Sequence, residues 1–181
     1  KRALRGSFLF EKLLNFGVMK NIRTLVVVTD YDKILLGMKK TGFGKGRWNG
    51  FGGKIEPGET ILQAAHRELQ EEVGIQATAI EERGIITFKG ITTFDDSQAT
   101  DILEVHIFSC TEFNGEPKET EEMKPQWYHW KDIPYSDMWP DDRYWLPIFL
   151  EGRSIHATFA FKAENEFKTI EITAGERKTK Y

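Results

Sequence analysis

Residues 53–75, GKIEPGETILQAAHRELQEEVGI, constrain the chain more than any other stretch. Gly53, Pro57 and Gly58 punctuate its start, and Gly74 is placed to close a helix in the left-handed conformation. Thr60 followed by Gln63 has the form of a capping box, so the spacing predicts a helix beginning just after Thr60. Leu62, Ala65, Leu69 and Val73 recur at helical spacing and predict the buried stripe. At 3.6 residues per turn, Glu68, Glu71 and Glu72 share an arc of roughly 100° beside that stripe. Three carboxylates on one arc repel one another unless a cation sits among them. Oxygen donors of this kind suit a hard divalent cation such as Mg²⁺. A solvated acidic face is the plainer alternative for the same residues.

The surrounding elements predict a mixed α/β domain. Residues 23–29, RTLVVVT, form a nearly continuous apolar run that reads as a strand buried on both faces, followed by a second strand at 34–40. Between them and the helix lies TGFGKGRWNGFGG, with six glycines in thirteen residues. Such a loop lets backbone N–H groups approach a phosphate closely, and Lys39, Lys40, Lys45 and Arg47 surround it with positive charge. It is neither a Walker A loop nor a dinucleotide fingerprint, because it leads into the acidic helix. After the helix the signals are mostly β, at 78–88, 102–110 and 125–130. The polar stretch 89–100 reads as a hairpin tip, and a last hairpin turns around Glu164-Asn165-Glu166. Pro140 suits a first helical turn, and Asp141 and Asp142 suit a helix N-terminus. Capping accounts well for one aspartate; two, set between Trp139 and Trp145, suggest a ligand-reading edge.

Composition excludes several classes. The 181 residues fit one domain with a real core. With 28 acidic and 25 basic side chains the formal charge is −3, so no global basic field draws the chain to duplex nucleic acid or a membrane surface. No apolar run approaches the roughly 18 residues of a membrane span. One cysteine, Cys110, excludes an internal disulfide and suits a reducing compartment. A cytoplasmic monomer is expected, with a mitochondrial or nuclear location left open. Residues 1–18, rich in Lys, Arg, Leu and Phe, stand apart from the domain at 19–181. They read as a targeting segment, an expression leader or an upstream extension ahead of Met19.

The pattern Gly53, Glu59, Arg67-Glu68-Leu69, Glu71-Glu72 and Gly74-Ile75 meets nine constrained positions in 23 residues and resembles the Nudix box. Together with GMKKTGFGKGRWNGFGGKIEPGET, EEMKPQWY and DMWPDDRYW, it resembles the animal branch of MutT-type enzymes, the oxidised purine nucleoside triphosphate diphosphatases. The likeness covers residues 22–172. It implies a Nudix α/β/α sandwich around a mixed β-sheet, and Mg²⁺-dependent cleavage of 8-oxo-dGTP, 2-hydroxy-dATP and related triphosphates to monophosphate and pyrophosphate. Carried over by position, the metal ligands are the Gly52 carbonyl, Glu68, Glu71, Glu72 and Glu122, with one of the three helix glutamates as proton acceptor. Arg67, counted with the catalytic set, is expected to orient a box carboxylate, and Glu59 to support the loop. Lys39 and the backbone of Phe51, Gly52, Gly53 and Lys54 fall on the phosphate side. Thr24, Asn49, Trp139, Pro140, Asp141 and Asp142 fall on the base side, where a Trp offers a stacking face and an Asn both donor and acceptor. Phe43, Phe88 and Met123 are pocket walls or ordinary core. Adjacent aspartates in a partly dry pocket resist double ionisation, so one can stay protonated. The stretch 89–99 is longer than the family's usual hairpin, which leaves base selectivity open. A hydrolase of another nucleoside-diphosphate-linked substrate is the alternative, and a non-catalytic binding module the more distant one.

Overall fold

A computed structural model describes residues 20–90, 102–163 and 166–177. Residues 91–100 of the expected hairpin tip, the turn at 164–165 and the segment 1–18 lie outside the described residues. Eight strands form one sheet: β1 (Lys20–Asp30), β2 (Lys33–Lys39), β3 (Trp48–Asn49), β4 (Gln76–Lys89), β5 (Ile102–Asn114), β6 (Met123–His129), β7 (Arg153–Ala163) and β8 (Glu166–Arg177). Their order is β3-β2-β1-β5-β4-β7-β8, with β6 on the far edge of β2. The sheet is mixed, since β1 pairs β5 and β4 pairs β7 in parallel while the other pairs are antiparallel. Helix α1 (Ile61–Val73) covers one face and helix α2 (Asp142–Leu150) the other. The expected sandwich is therefore present. No helix among the described residues is long and apolar enough to cross a membrane.

Alternation along β1 explains the two layers. Val26 and Val28 pack with Leu69, Val73 and Phe108 under α1. Val27 packs with Ile107, Trp145 and Phe149 under α2. The apolar run expected to be buried on both faces is so. Beyond the Val28–Leu35 pair, β1 and β2 part company. Strand β3 takes up the pairing on Gly37 and Met38, and Phe51 bridges back to Val26. That splay holds the glycine-rich loop and the Gly52–Gly53 step, so the candidate site lies where the sheet opens.

Helix α1 begins and ends as its sequence dictates. Thr60 accepts from the Gln63 N–H while the Gln63 side chain accepts from the Thr60 N–H, and Gly74 closes the helix at φ 75°. The buried stripe is rotated from the expected one. Leu62 remains 46% exposed, whereas Ala64, Ala65, Leu69, Glu72 and Val73 are buried. At about 100° per residue, Glu72 falls near the centre of the buried arc and Leu62 at its margin. Strand β6 also starts and ends earlier than expected, and Trp130 opens a short 3-10 turn (Trp130–Asp132). Replacing a capping Thr typically costs about 1 kcal/mol. Thr60→Ala should lower unfolding stability by that amount, read as a shift in urea midpoint with unchanged slope.

Candidate active site

Glu72 is a carboxylate that the helix carries into the core, 3% exposed. Two groups meet it there. The Gly52 N–H donates to Oε2 at 2.8 Å, and the Lys39 ammonium stands 3.4 Å from Oε1. Lys39 also reaches Glu122 at 3.1 Å, so one cation joins two of the sequence-predicted metal ligands. Burial drives the Glu72 carboxyl up to about 7, against the lowering effects of the Gly52 N–H and Lys39. Burial likewise raises Glu68, against Arg67.

Arg67 organises the other half of the acidic arc. Its Nε and Nη2 donate to the two oxygens of Glu59 at 2.7 and 3.0 Å, a bidentate pair. Its Nη1 donates to Glu68 and to Glu71, each at 3.0 Å, and Nη2 also to the Lys54 carbonyl at 2.9 Å. Glu59 accepts from the Glu56 N–H as well. The hydrogen bond from Arg67 is the main cause that holds the Glu59 carboxyl below its ordinary value. Glu68 faces Gly53, where an added Cβ would run into its carboxyl; Glu71 stays half exposed. A Cβ at Gly52 would collide with the Thr24 carbonyl, because β1 crosses directly beneath.

Among the described residues no three acidic or imidazole side chains stand at metal-ligand spacing. Arg67 and Lys39 lie among the carboxylates. The donor chemistry still fits a hard divalent cation. Glu68 and Glu72 both stand over the side-chain-free Gly52–Gly53 step, Glu122 is drawn toward them through Lys39, and burial of Glu68 and Glu72 leaves an unfavourable negative charge that a cation relieves.

The loop bearing Glu122 is fixed by Thr120, which the sequence did not single out, together with Lys40. The Thr120 hydroxyl donates to the Glu72 carbonyl at 3.0 Å, and Lys40 donates to the Thr120 carbonyl at 2.7 Å while pairing with Glu119 at 3.0 Å. On the phosphate side, Phe51 is fully buried and its N–H and C=O are both taken by Val26, so it supplies core packing and no open amide. The Gly53 N–H has only a long contact, 3.5 Å, with the Thr24 hydroxyl.

Of the expected base-side residues, Trp139, Pro140, Asp141 and Asp142 gather at the start of α2, whereas Thr24 lies on β1 beside Gly53 and Asn49 on β3. Asp141 and Asp142 are 6% and 2% exposed. Asp141 accepts from the Trp145 indole at 3.1 Å, and Asp142 accepts from the Trp139 N–H at 3.0 Å while its own N–H donates to the Trp139 carbonyl. Asp142 is thus a turn lock; Asp141 makes no capping bond to the backbone. Burial raises both carboxyls, Asp141 to about 6 and Asp142 well above its ordinary value, the latter pushed further by Asp141. Phe43 stacks on Trp139 with ring centres 4.9 Å apart, so a base stacked on that face must displace it. Asn49 turns its Oδ1 back to the Gly50 N–H. Met123 is buried against Gly37, and Phe88 stacks on Phe159 within the α2-side core. Pro140 lines an outer groove with Arg143, Tyr144 and Phe167.

A mixed sheet between two helices, with an Arg-organised glutamate arc over a glycine step, defines the Nudix class. The chain belongs to the Nudix family, whose domain matches residues 19–149. It is 44% identical over 142 residues to the oxidized purine nucleoside triphosphate hydrolase of Mus musculus, covering 78% of this chain and 87% of that one. The Danio rerio protein of the same name is 45% identical with the same coverage. Among solved structures, a mutator MutT protein from Bacillus halodurans superposes with TM-score 0.70 at 28% identity, over 84% of this chain and 97% of that one.

Because folded Glu72 keeps its proton to higher pH than the ordinary 4.5, the native state binds more protons between about 4.5 and 7, and metal-free stability falls as pH rises through that window. Glu72→Gln lacks this term. In chelator at pH 8 it should be more stable than the parent by on the order of 2–3 kcal/mol, the gap closing by pH 5 in urea titrations.

Proposed function

We propose that this chain is a Mg²⁺-dependent pyrophosphohydrolase of oxidised purine nucleoside triphosphates, releasing the monophosphate and pyrophosphate. The observation that carries the reading is the buried Asp141–Asp142 pair beside Trp139, on the same chain as an intact glutamate arc. The names of the mouse and zebrafish relatives agree with it.

Gly52, Glu68, Glu71, Glu72 and Glu122 would hold the metal. Bound there, Mg²⁺ supplies charge neutralisation for the triphosphate and a lowered pKa for an attacking water. One of the three helix glutamates takes the proton from that water. Arg67 keeps Glu68 and Glu71 oriented, and Lys39 offers its ammonium to the phosphates. At the other end Trp139 provides a stacking face. An ionised Asp141 accepts from the N–H donors of an oxidised guanine, while a protonated Asp142 can donate to an acceptor on an oxidised adenine.

A turnover panel of oxidised, alkylated and normal purine triphosphates with Mg²⁺, scoring pyrophosphate against phosphate, tests the reaction. Oxidised purines should lead and pyrophosphate should be the product. Removal of transition-state charge stabilisation of this type costs about a hundred- to thousandfold, so Glu72→Gln should lose that much turnover while staying folded. Parent-like turnover at saturating Mg²⁺ would remove Glu72 from the ligand set. Asp141→Asn exchanges an acceptor oxygen for a donor, and an unpaired buried polar group is costly. It should lower kcat/KM for 8-oxo-dGTP by about tenfold or more and for 2-hydroxy-dATP by less. Equal small losses would reduce the pair to a helix-start motif.

A further inference from the structure

Arg47 enters the base side from the glycine-rich loop. Its Nη1 donates to the Met138 carbonyl at 2.7 Å, one residue before Trp139, and its guanidinium lies over the Trp139 ring at 4.5 Å. The loop fits closely there: a Cβ at Gly44 would stand 3.0 Å from the Trp139 ring, and the Arg47 N–H donates to the Gly44 carbonyl at 2.9 Å. The turn that presents Trp139, Asp141 and Asp142 is therefore fastened to the loop by the Arg47 hydrogen bond and guanidinium contact beside the Phe43–Trp139 stack.

We propose that Arg47 is the specificity-positioning residue of the base site: it fixes Trp139 as the stacking surface and sets its positive charge against the turn that bears the aspartate pair, so that preference between oxidised guanine and oxidised adenine is set from the glycine-rich loop. This rests on the function proposed above. The groups that face the pair are few. Trp145 donates from α2 itself, Tyr135 borders Asp142 from the 3-10 turn Tyr135–Asp137, the Trp139 N–H closes the turn, and Arg47 is the cation whose field favours ionisation of both carboxyls. A flat guanidinium can stack and donate at once, which a lysine ammonium cannot reproduce. A cation at that place favours the charged form that an oxidised guanine needs as an acceptor.

The test compares parent, Arg47→Met and Arg47→Lys in kcat/KM for 8-oxo-dGTP and 2-hydroxy-dATP from pH 5 to 9. Alongside it, the aspartate carboxyls are titrated by carbon-13 NMR in the metal-free proteins. Arg47→Met should lose about tenfold on 8-oxo-dGTP at pH 7 and clearly less on 2-hydroxy-dATP. Its acid limb for 8-oxo-dGTP should move up by about half a pH unit or more, because loss of a cation favours the protonated acid. Arg47→Lys should return the acid limb toward the parent position without restoring the full rate. Equal losses on both substrates with an unmoved acid limb would make Arg47 a brace for the loop alone, and parent-like kinetics would also overturn the proposal. If the parent cleaves neither oxidised purine, the proposed function fails by itself, and the carboxyl titration still decides: aspartate titrations that stay in place in Arg47→Met overturn the coupling.

Discussion

A carboxylate at the centre of a helix's buried arc is the constraint on which this structure turns. Helix α1 can lay Ala65, Leu69 and Val73 on the sheet only by taking Glu72 in with them. A buried acid needs hydrogen-bond partners and a countercharge. The Gly52 N–H and Lys39 supply them. The rest of the local architecture follows from those two contacts. Gly52 can reach Glu72 only with the chain pressed against Thr24 of β1, closer than a side chain allows. Lys39 reaches it from the end of β2, after β2 has exchanged β1 for β3 as its neighbour. The loop through Thr120 is drawn in by the carbonyl of the same glutamate.

The splayed strands also tie the two ends of the site together. The Lys39 N–H donates to the Arg47 carbonyl at 3.0 Å, and the Gly46 N–H to the Lys39 carbonyl at 2.8 Å. Two cations thus leave one short stretch of backbone in different directions. Lys39 goes to Glu72 and Glu122 on the α1 side, and Arg47 to Met138 and Trp139 on the α2 side. A loop that shifted to admit a phosphate would move both. Coupling of this kind needs no long relay, because the two side chains share a hydrogen-bonded backbone pair.

Much of this was legible in the sequence where a local rule decides the outcome. The capping box at Thr60, the left-handed Gly74, the two-faced burial of β1 and the grouping of Arg67 with box carboxylates all depend on residues near one another in the chain or on strict periodicity. The misreadings have one cause. Helical spacing gives a stripe but not its rotation, so Leu62 was placed inward and Glu72 beside the stripe. The sheet, with Gly52 and Lys39 ready to accept an acid, turned the helix the other way. Phe51 misled similarly, since a glycine-rich context suggested open amides while β1 had already taken them. Arg47 read as one of four basic residues around a loop; only the fold brings it onto Trp139, 92 positions further along.

Glu72, Asp141 and Asp142 share an electrostatic problem and meet it differently. All three carboxyls are raised chiefly by burial, so each ionised form weakens the fold near neutrality. At the glutamate arc the remedy is exchangeable. Lys39 reaches Glu72 on a flexible stem at 3.4 Å, and under the proposed function a hard cation would take its place. At the aspartate pair the remedy is fixed. Two adjacent buried acids cannot both ionise cheaply, and fixed donors, the Trp139 N–H and the Trp145 indole, already meet them. Under the proposed function the first site is completed by the metal it binds and the second reads the base, and the paired backbone of Lys39 and Arg47 lets one loop serve both.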